Sequence, residues 1–394
     1  MDRINLVFRE GLTGVRVIRA FNRDKFEQDR FGEANKDYTH TAIKVFTIVS
    51  FMLPIMTLIM SGTNMGIIWY GAKLISNQTM QVGNLVAFMT YAAQILMSFM
   101  MLSMVFVLIP RASASAKRIN EVLEMKNSVK DPEQPISVSE ETKTASLEFK
   151  NVDFRYKGMD ELAIDGANFK ATAGQTVAII GGTGSGKSTL VSLIPRFFDP
   201  EKGEILINGT DIKTMSQKDV HAKVSLAQQK SVLFQGTVRE NMQFGNPDAT
   251  DDEIWHAMEI AQATEFIHKD EDGLDAWVEQ NGDNFSGGQK QRLTIARTLV
   301  KQAPVYVFDD SFSALDFKTD AELRHSLRED SQIQKSVVVI VAQRIATVAD
   351  ADLILVIDDG KIVGQGNHQE LKANNETYWE IIDSQIKKGD QANG

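Results

Sequence analysis

Between Lys44 and Arg111 the chain carries a single charge, Lys73, which leaves two uncharged stretches, Val45 to Ala72 and Leu74 to Pro110. Roughly 20 apolar residues in a helix cross a bilayer, since backbone N–H and C=O groups must be satisfied inside the segment where water is absent. Both stretches exceed that length. A helical hairpin buried in a soluble core competes with this solution, but soluble helices this long carry a charged face, and neither stretch has one. Membrane helices are therefore expected at about 45–72 and 84–110, with cytoplasmic extensions. Trp69 and Tyr70 fall where amphipathic rings favour the interface, and Gly71 to Gly83 supplies a short polar turn. Pro54 and Gly62 should bend the first helix without stopping it.

Charge then orients the pair. Arg9, Arg16, Arg19, Arg23, Lys25 and Arg30 precede it and Arg111, Lys117 and Arg118 follow it, which places both ends in the cytoplasm. Met1 to Lys44 lacks the apolar core of a signal peptide and reads as a cytoplasmic extension of the first membrane helix. Residues 1–128 hold 14 Lys and Arg against 9 Asp and Glu, and the remainder 28 against 43. A basic membrane portion joined to an acidic soluble portion suits a cytoplasmic-face protein and argues against nucleic acid as a partner. The chain has no cysteine, which excludes disulfides and thiolate metal sites, and its six histidines show no paired ligand spacing.

Residues 127–146, with Pro132 and Pro135, have the composition of a linker, and a single α/β domain should occupy 147–394. Its strongest signal is Gly181-Gly182-Thr183-Gly184-Ser185-Gly186-Lys187-Ser188-Thr189, a full match to the phosphate-loop motif. The apolar run Thr176 to Ile180 precedes it and Leu190 to Ile194 follows, giving the strand, loop and helix that the motif requires. Glycines let successive N–H groups turn onto the phosphates of ATP, Lys187 neutralises the β/γ-phosphates, and Ser188 ligates Mg²⁺. Val305 to Phe308 and Val337 to Val341 read as parallel strands buried on both faces. Leu353 to Ile357 and Lys361 to Gly364 flank a hairpin turn at Asp358-Asp359-Gly360.

Further motifs follow in a fixed order. Tyr156 stands in Val152-Asp153-Phe154-Arg155-Tyr156, Gln229 in Leu226-Ala227-Gln228-Gln229-Lys230, and Phe285-Ser286-Gly287-Gly288-Gln289 lies upstream of Asp309. Ser313-Ala314-Leu315-Asp316 comes after it. Together these resemble the ATP-binding cassette (ABC) proteins. The resemblance makes Tyr156 an adenine-stacking aromatic, Gln229 a Q-loop glutamine touching Mg²⁺ and the attacking water, and Asp309 a further Mg²⁺ holder. Ser286, Gly287, Gly288 and Gln289 become a signature motif near Leu-Ser-Gly-Gly-Gln that contacts a partner's ATP, and Asp316 the end of a D-loop. Residues 1–126 resemble the last two of six membrane helices in ABC exporters, Glu10 to Phe21 included. The implied fold is an α-helical transmembrane segment followed by an α/β phosphate-loop cassette. By this reading the first four helices are missing, and the chain looks like a C-terminal fragment or an incompletely predicted reading frame.

Two positions depart from the family's pattern. Asp310 stands where a glutamate normally follows the Mg²⁺-holding aspartate, and Gln343 stands in place of a histidine. An acid one methylene short is poorly placed to orient or deprotonate the attacking water, and a glutamine carries no proton. Hence the favoured expectation: the degenerate-site subunit of a bacterial heterodimeric multidrug-type exporter, multi-pass in the plasma membrane with its cassette in the cytoplasm. Its partners would be a second half-transporter, membrane lipid and a small amphipathic substrate. A slow homodimer, or a regulatory nucleotide-binding membrane subunit, are the alternatives. Met52, Met56, Met60, Met97, Met100, Met101 and Met104 suit an adaptable substrate-facing surface, or plain lipid-facing packing.

Overall fold

The computed structural model describes residues 2–136 and 144–392. It divides into two compact units, Met1–Met125 and Lys126–Gly394. Ser137 to Lys143, within the expected linker, lie outside the described residues, as do the side chains of Met104 and Arg111.

The first unit is helical. Short helices α1 (Asp2–Thr13) and α2 (Val15–Ala20) precede two long ones, α3 (Asp24–Ser76) and α4 (Val82–Leu123). Both long helices are long and apolar enough to cross a membrane. At 1.5 Å per residue α3 is about 80 Å long, well beyond the roughly 30 Å hydrocarbon layer. It begins at Asp24, 21 residues before the uncharged stretch that opens at Val45, because nothing between Asp24 and Lys44 breaks a helix and Asp24 and Glu27 suit the positive end of its dipole. Pro54 lies inside it, and Pro110 inside α4, which continues to Leu123 beyond the uncharged stretch. The turn is shorter than Gly71 to Gly83. Gly71 is still helical and buried, and a Cβ there would meet Leu85 Cδ1 at 2.4 Å, so the small residue permits close approach at the hairpin. Phe46, Leu58, Trp69 and Met101 lie on the exposed surface of the pair, as lipid-facing side chains do.

The second unit has two sheets. An antiparallel one contains β1 (Ser146–Phe154), β2 (Ile164–Thr172) and β4 (Lys202–Ile207), in the order β2-β1-β4. The other contains β3 (Thr176–Gly181), β5 (Val224–Ala227), β6 (Val305–Asp309), β7 (Val337–Val341), β8 (Leu353–Asp358) and β9 (Lys361–Gly366). Their order is β9-β8-β3-β7-β6-β5, all parallel except the antiparallel edge β9. Alternate side chains enter different cores. Val177, Ile179, Val305, Val307, Val337 and Val339 pack towards the antiparallel sheet with Leu147 and Phe149. Ala178, Ile180, Phe308, Val338 and Ile340 pack on the opposite face against helices. That two-sided burial explains why these strands read as unbroken apolar runs.

Part of the expected linker is docked. Val129 is buried, Lys130 O accepts from Arg196 Nη2 at 2.9 Å, Asp131 Oδ1 accepts from Gln217 N at 2.8 Å, and Ile136 N donates to Thr214 O at 2.9 Å. The gathering residue is Arg196, buried and in the left-handed region at φ 58°. It also reaches Ile212 O and Met215 O at 3.1 and 2.9 Å and Asp199 Oδ1 at 2.8 Å.

Candidate functional site

Strand β3 ends centrally in the parallel sheet and runs through the glycine loop into helix α5 (Lys187–Leu193). The glycines do different work. At Gly181 a Cβ would meet Ile357 O at 2.1 Å, so the loop packs on β8 there, whereas at Gly182 and Gly184 a Cβ would meet nothing within 4 Å. Gly186 caps α5 at φ 104°, a conformation L side chains avoid. Gly360 N donates to Ser185 O at 3.0 Å, and Asp359 and Gly360 turn at φ 45° and 77°, so the β8–β9 hairpin props the loop from behind. The sequence marks that turn but not its target. Ser185 is 6 % exposed, with an Oγ that finds no hydrogen-bond partner among the described residues.

Lys187 Nζ donates to Gly181 O at 2.9 Å and Gly182 O at 2.6 Å, cradled by the loop it serves. Burial lowers its pKa, against the pull of Asp310 and Asp309. Ser188 Oγ donates to Asp309 Oδ1 at 3.1 Å. Thr189 Oγ1 lies 3.1 Å from Tyr156 OH, and the Tyr156 ring stands edge-on to Phe154 and Phe198 at 4.9 and 5.4 Å. An aromatic platform is thereby fixed beside the loop. Thr183 sits in the same turn.

Asp309 ends β6 and Asp310 begins the next turn in the left-handed region, φ 50°; both are buried. Asp310 N donates to Val341 O at 3.1 Å, which anchors the acid to β7. Two amides converge on one of its oxygens: Gln343 Nε2 at 2.7 Å and Gln229 Nε2 at 3.3 Å, both to Oδ2. Burial nevertheless raises the Asp310 pKa above the ordinary 3.8, outweighing those amides, Lys187 and Arg344. Asp309 is raised too, first by burial and then by Asp310, with Ser188 and Lys187 opposing. Apart from Arg344, the sequence names each of the polar residues here, and the fold brings them together.

Elsewhere the structure commits side chains that the sequence reading assigned only to ligand. Ser286 is the N-cap of α6 (Gly287–Val300); its Oγ accepts from Gln289 N at 3.4 Å, and Gln289 Oε1 accepts from Ser286 N at 2.9 Å. This capping box satisfies two of the helix's unpaired donors and rigidifies the motif. Ser286 and Gly287 are exposed. Asp316 caps α7 (Phe317–Glu329), accepting from Lys318 N, Thr319 N and Thr319 Oγ1 at 3.1, 3.0 and 2.8 Å, and the Thr319 contacts hold its pKa down. Gln291, not anticipated, is buried and accepts from Ala314 N at 3.1 Å, tying the signature helix to the D-loop. Among the described residues no hydrogen bond joins Ser286–Gln289 to Gly181–Thr189.

Comparison with known proteins spans both units. The ABC transporter family matches residues 164–313, and the ABC transporter transmembrane region matches residues 1–99. An uncharacterized ABC transporter ATP-binding protein of Mycobacterium tuberculosis is 42% identical over 388 residues, covering 98% of this chain and 66% of the relative. A probable multidrug resistance ABC transporter ATP-binding/permease protein of Bacillus subtilis is 34% identical over 376 residues, 95% of this chain and 63% of its own length. The solved structure of a bacterial Atm1-family ABC exporter with ATP bound superposes with a TM-score of 0.85 at 31% identity, covering 98% of this chain and 68% of that one. The chain thus spans about two thirds of the length of its curated relatives. Because the similarity runs from the helix pair through the phosphate loop to the last strands instead of stopping at either unit, this chain belongs to the ABC transporter family, as a membrane region followed by a cytoplasmic ATP-binding cassette.

Proposed function

We propose that the chain is the ATP-binding subunit of a heterodimeric exporter, with a degenerate ATP site of its own and a signature motif that serves its partner's site. Residues 1–126 would be part of the transmembrane domain, 127–146 the linker and 147–394 the cassette. The observation that carries this reading is the grip on Asp310, whose short carboxylate is tied through one oxygen to Gln343 and Gln229.

Tyr156 would stack on adenine while the loop's N–H groups, Ser185 Oγ and Lys187 take the phosphates. The orphaned Ser185 hydroxyl fits an acceptor-rich ligand. Mg²⁺ also fits: a serine hydroxyl, a buried aspartate and a glutamine carbonyl form an all-oxygen donor set suited to a hard cation. Ser188, Asp309 and Gln229 would hold it, Gln229 through its carbonyl oxygen since its nitrogen donates to Asp310. When bound, Mg²⁺ neutralises charge on the β- and γ-phosphates. Asp310, one methylene short and tied through Oδ2 to two amides, is poorly placed to orient or deprotonate the attacking water. Gln343 can donate to a γ-phosphate but brings no positive charge. Binding survives and turnover at this site is slow. The capped Ser286–Gly288 turn, exposed at Ser286 and Gly287, would present N–H groups and a helix N-terminus to the other ATP. The multidrug name of the Bacillus subtilis relative favours amphipathic cargo.

Steady-state ATPase of the assembled transporter tests the reading. Asp310→Ala should cost about twofold, whereas removing the partner's catalytic glutamate should nearly abolish activity. Equal damage from the two would mean two competent sites, as in a slow homodimer.

A further inference from the structure

Gln343 is itself held from a distance. Helix α9 (Glu376–Ala392) places Gln385 against the loop that follows β7. Gln385 Nε2 donates to Gln343 O at 2.7 Å, and Ile345 N donates to Gln385 Oε1 at 2.9 Å. One carboxamide thus bridges the backbone on both sides of Arg344. Ile345 opens the short helix α8 (Ile345–Val348), which has no side-chain cap of its own. Arg344 is directed elsewhere, to Leu315 O and Ser313 O at 3.3 and 3.2 Å and over the Phe317 ring at 4.8 Å. Gln385 therefore supplies the acceptor that the first N–H of α8 lacks locally.

The clamp is well founded. Tyr378, in the first turns of α9, is fully buried with its OH 2.7 Å from His368 Nδ1, and Ile382 is buried as well. Gln385 follows Ile382 by three residues and so shares its inward face. A glutamine near the end of a helix ordinarily keeps its rotamer freedom in solvent; here both ends of the amide are spent on one loop. With the Gln343 carbonyl fixed from behind, its side chain is aimed at Asp310 Oδ2, 2.7 Å away.

We infer that Gln385 is a positioning residue for the nucleotide site: through the Gln343 backbone it sets where the Gln343 amide points, and so couples helix α9 to recognition of the terminal phosphate of a nucleoside triphosphate. The inference rests on the ATP-site reading above. Freed from Gln385, the loop gains conformations in which Gln343 misses the γ-phosphate. Contacts that ADP also makes, at Tyr156, Lys187 and the glycine loop, are untouched.

The experiment is titration of the full chain in lipid nanodiscs with MgATP and MgADP, comparing Gln385→Ala, Gln385→Glu, Gln343→Ala and the double variant Gln343→Ala with Gln385→Ala. Gln385→Glu keeps length and acceptor but cannot donate to Gln343 O. Both Gln385 variants should lose about fivefold in ATP affinity, the worth of one hydrogen bond, with ADP affinity unchanged. In the Gln343→Ala background Gln385→Ala should cost nothing more, since it acts through the same side chain. An unaltered preference for ATP over ADP, a parallel loss of both nucleotides, or the same fivefold loss without Gln343 overturns the clamp. Lys187→Ala separates the failures. If it weakens both nucleotides while the Gln385 variants change nothing, only the clamp is wrong; if it weakens neither, the ATP-site reading falls with it.

Discussion

At the signature motif the polar atoms that shape the loop are paired three residues apart, Ser286 with Gln289. At the phosphate loop the decisive acid is held by partners far along the chain: Asp310 by Gln343, 33 residues away, and by Gln229, 81 residues away. The first half-site is a local device whose geometry comes with its helix. The second exists only when four elements of the parallel sheet and its loops are assembled, so small changes in side-chain length propagate into it. On the function proposed above, this contrast would let one cassette keep a sound signature motif while its own acid and switch positions drift.

The largest effect expected is on the assembled half. Lys187→Ala removes the ammonium cradled by Gly181 O and Gly182 O, together with a charge-assisted phosphate contact in a partly buried site. MgATP affinity should fall by about a hundredfold or more, read by fluorescent-nucleotide titration. Unchanged binding would break the comparison, because the phosphate-loop half would then not be a nucleotide site.

Damage at the local half should appear elsewhere. Ser286→Arg puts bulk and a cation on an exposed turn and deletes one arm of the capping box. ATPase of the assembled transporter should drop by roughly fiftyfold while this chain's own MgATP affinity stays within about twofold, since the turn shares no hydrogen bond with the phosphate loop. A parallel loss of binding would show that the two halves are not independent.

An intermediate effect should run the other way. Asp310→Glu combined with Gln343→His restores a longer acid and a titratable switch residue at the same two positions. If the assembled half is weak because its acid falls short, turnover at this site should rise by about tenfold, part of the cost of a misplaced base. Single-turnover hydrolysis with the partner's site disabled reads it directly; no gain would locate the deficit elsewhere in the site.

What the sequence could reveal follows the same division. Strands with valines alternating between two cores, a glycine loop between strand and helix, and uncharged stretches long enough for a bilayer are patterns of neighbouring residues, and the fold follows them. Local pairs are legible too: Ser286-x-x-Gln289 is a capping box and Asp316, three residues before Thr319, an N-cap, although the motifs they belong to point first to ligand. Out of reach were the tertiary pairs. Nothing near Arg196 marks it as the buried anchor of Lys130, 66 residues away. Nothing near Gln385 marks its hold on Gln343, 42 residues away. The uncharged stretches mark where a helix can sit in a bilayer but not how far it runs beyond: α4 contains Pro110 and continues to Leu123.

The smallest effect sharpens the comparison most, because it reads the cost of the assembled half in the absence of nucleotide. The Asp310 pKa stands above the ordinary 3.8 even though Gln343, Gln229, Lys187 and Arg344 all favour the charged form, so burial is the larger influence. A carboxyl whose folded pKa is raised favours the folded state fully only below the unfolded value, and that contribution is lost as pH rises through the folded value. At neutral pH the ionised Asp310 is therefore a burden on the fold. Asp310→Asn keeps the shape, tolerates the left-handed backbone at φ 50° and still offers an oxygen to the Gln343 amide. It also relieves Asp309, whose own pKa Asp310 pushes up. The melting temperature of the full chain should thus rise by about 2 °C at neutral pH, and the gain should shrink to nothing as pH falls through the raised Asp310 value towards 3.8, where the wild-type acid is also protonated. Scanning calorimetry of the two proteins from neutral to mildly acid pH decides it. A lower melting temperature at neutral pH would mean that the two amides outweigh burial and that this half of the cassette holds its acid without strain; a gain that does not vary with pH would mean that it does not come from the Asp310 charge.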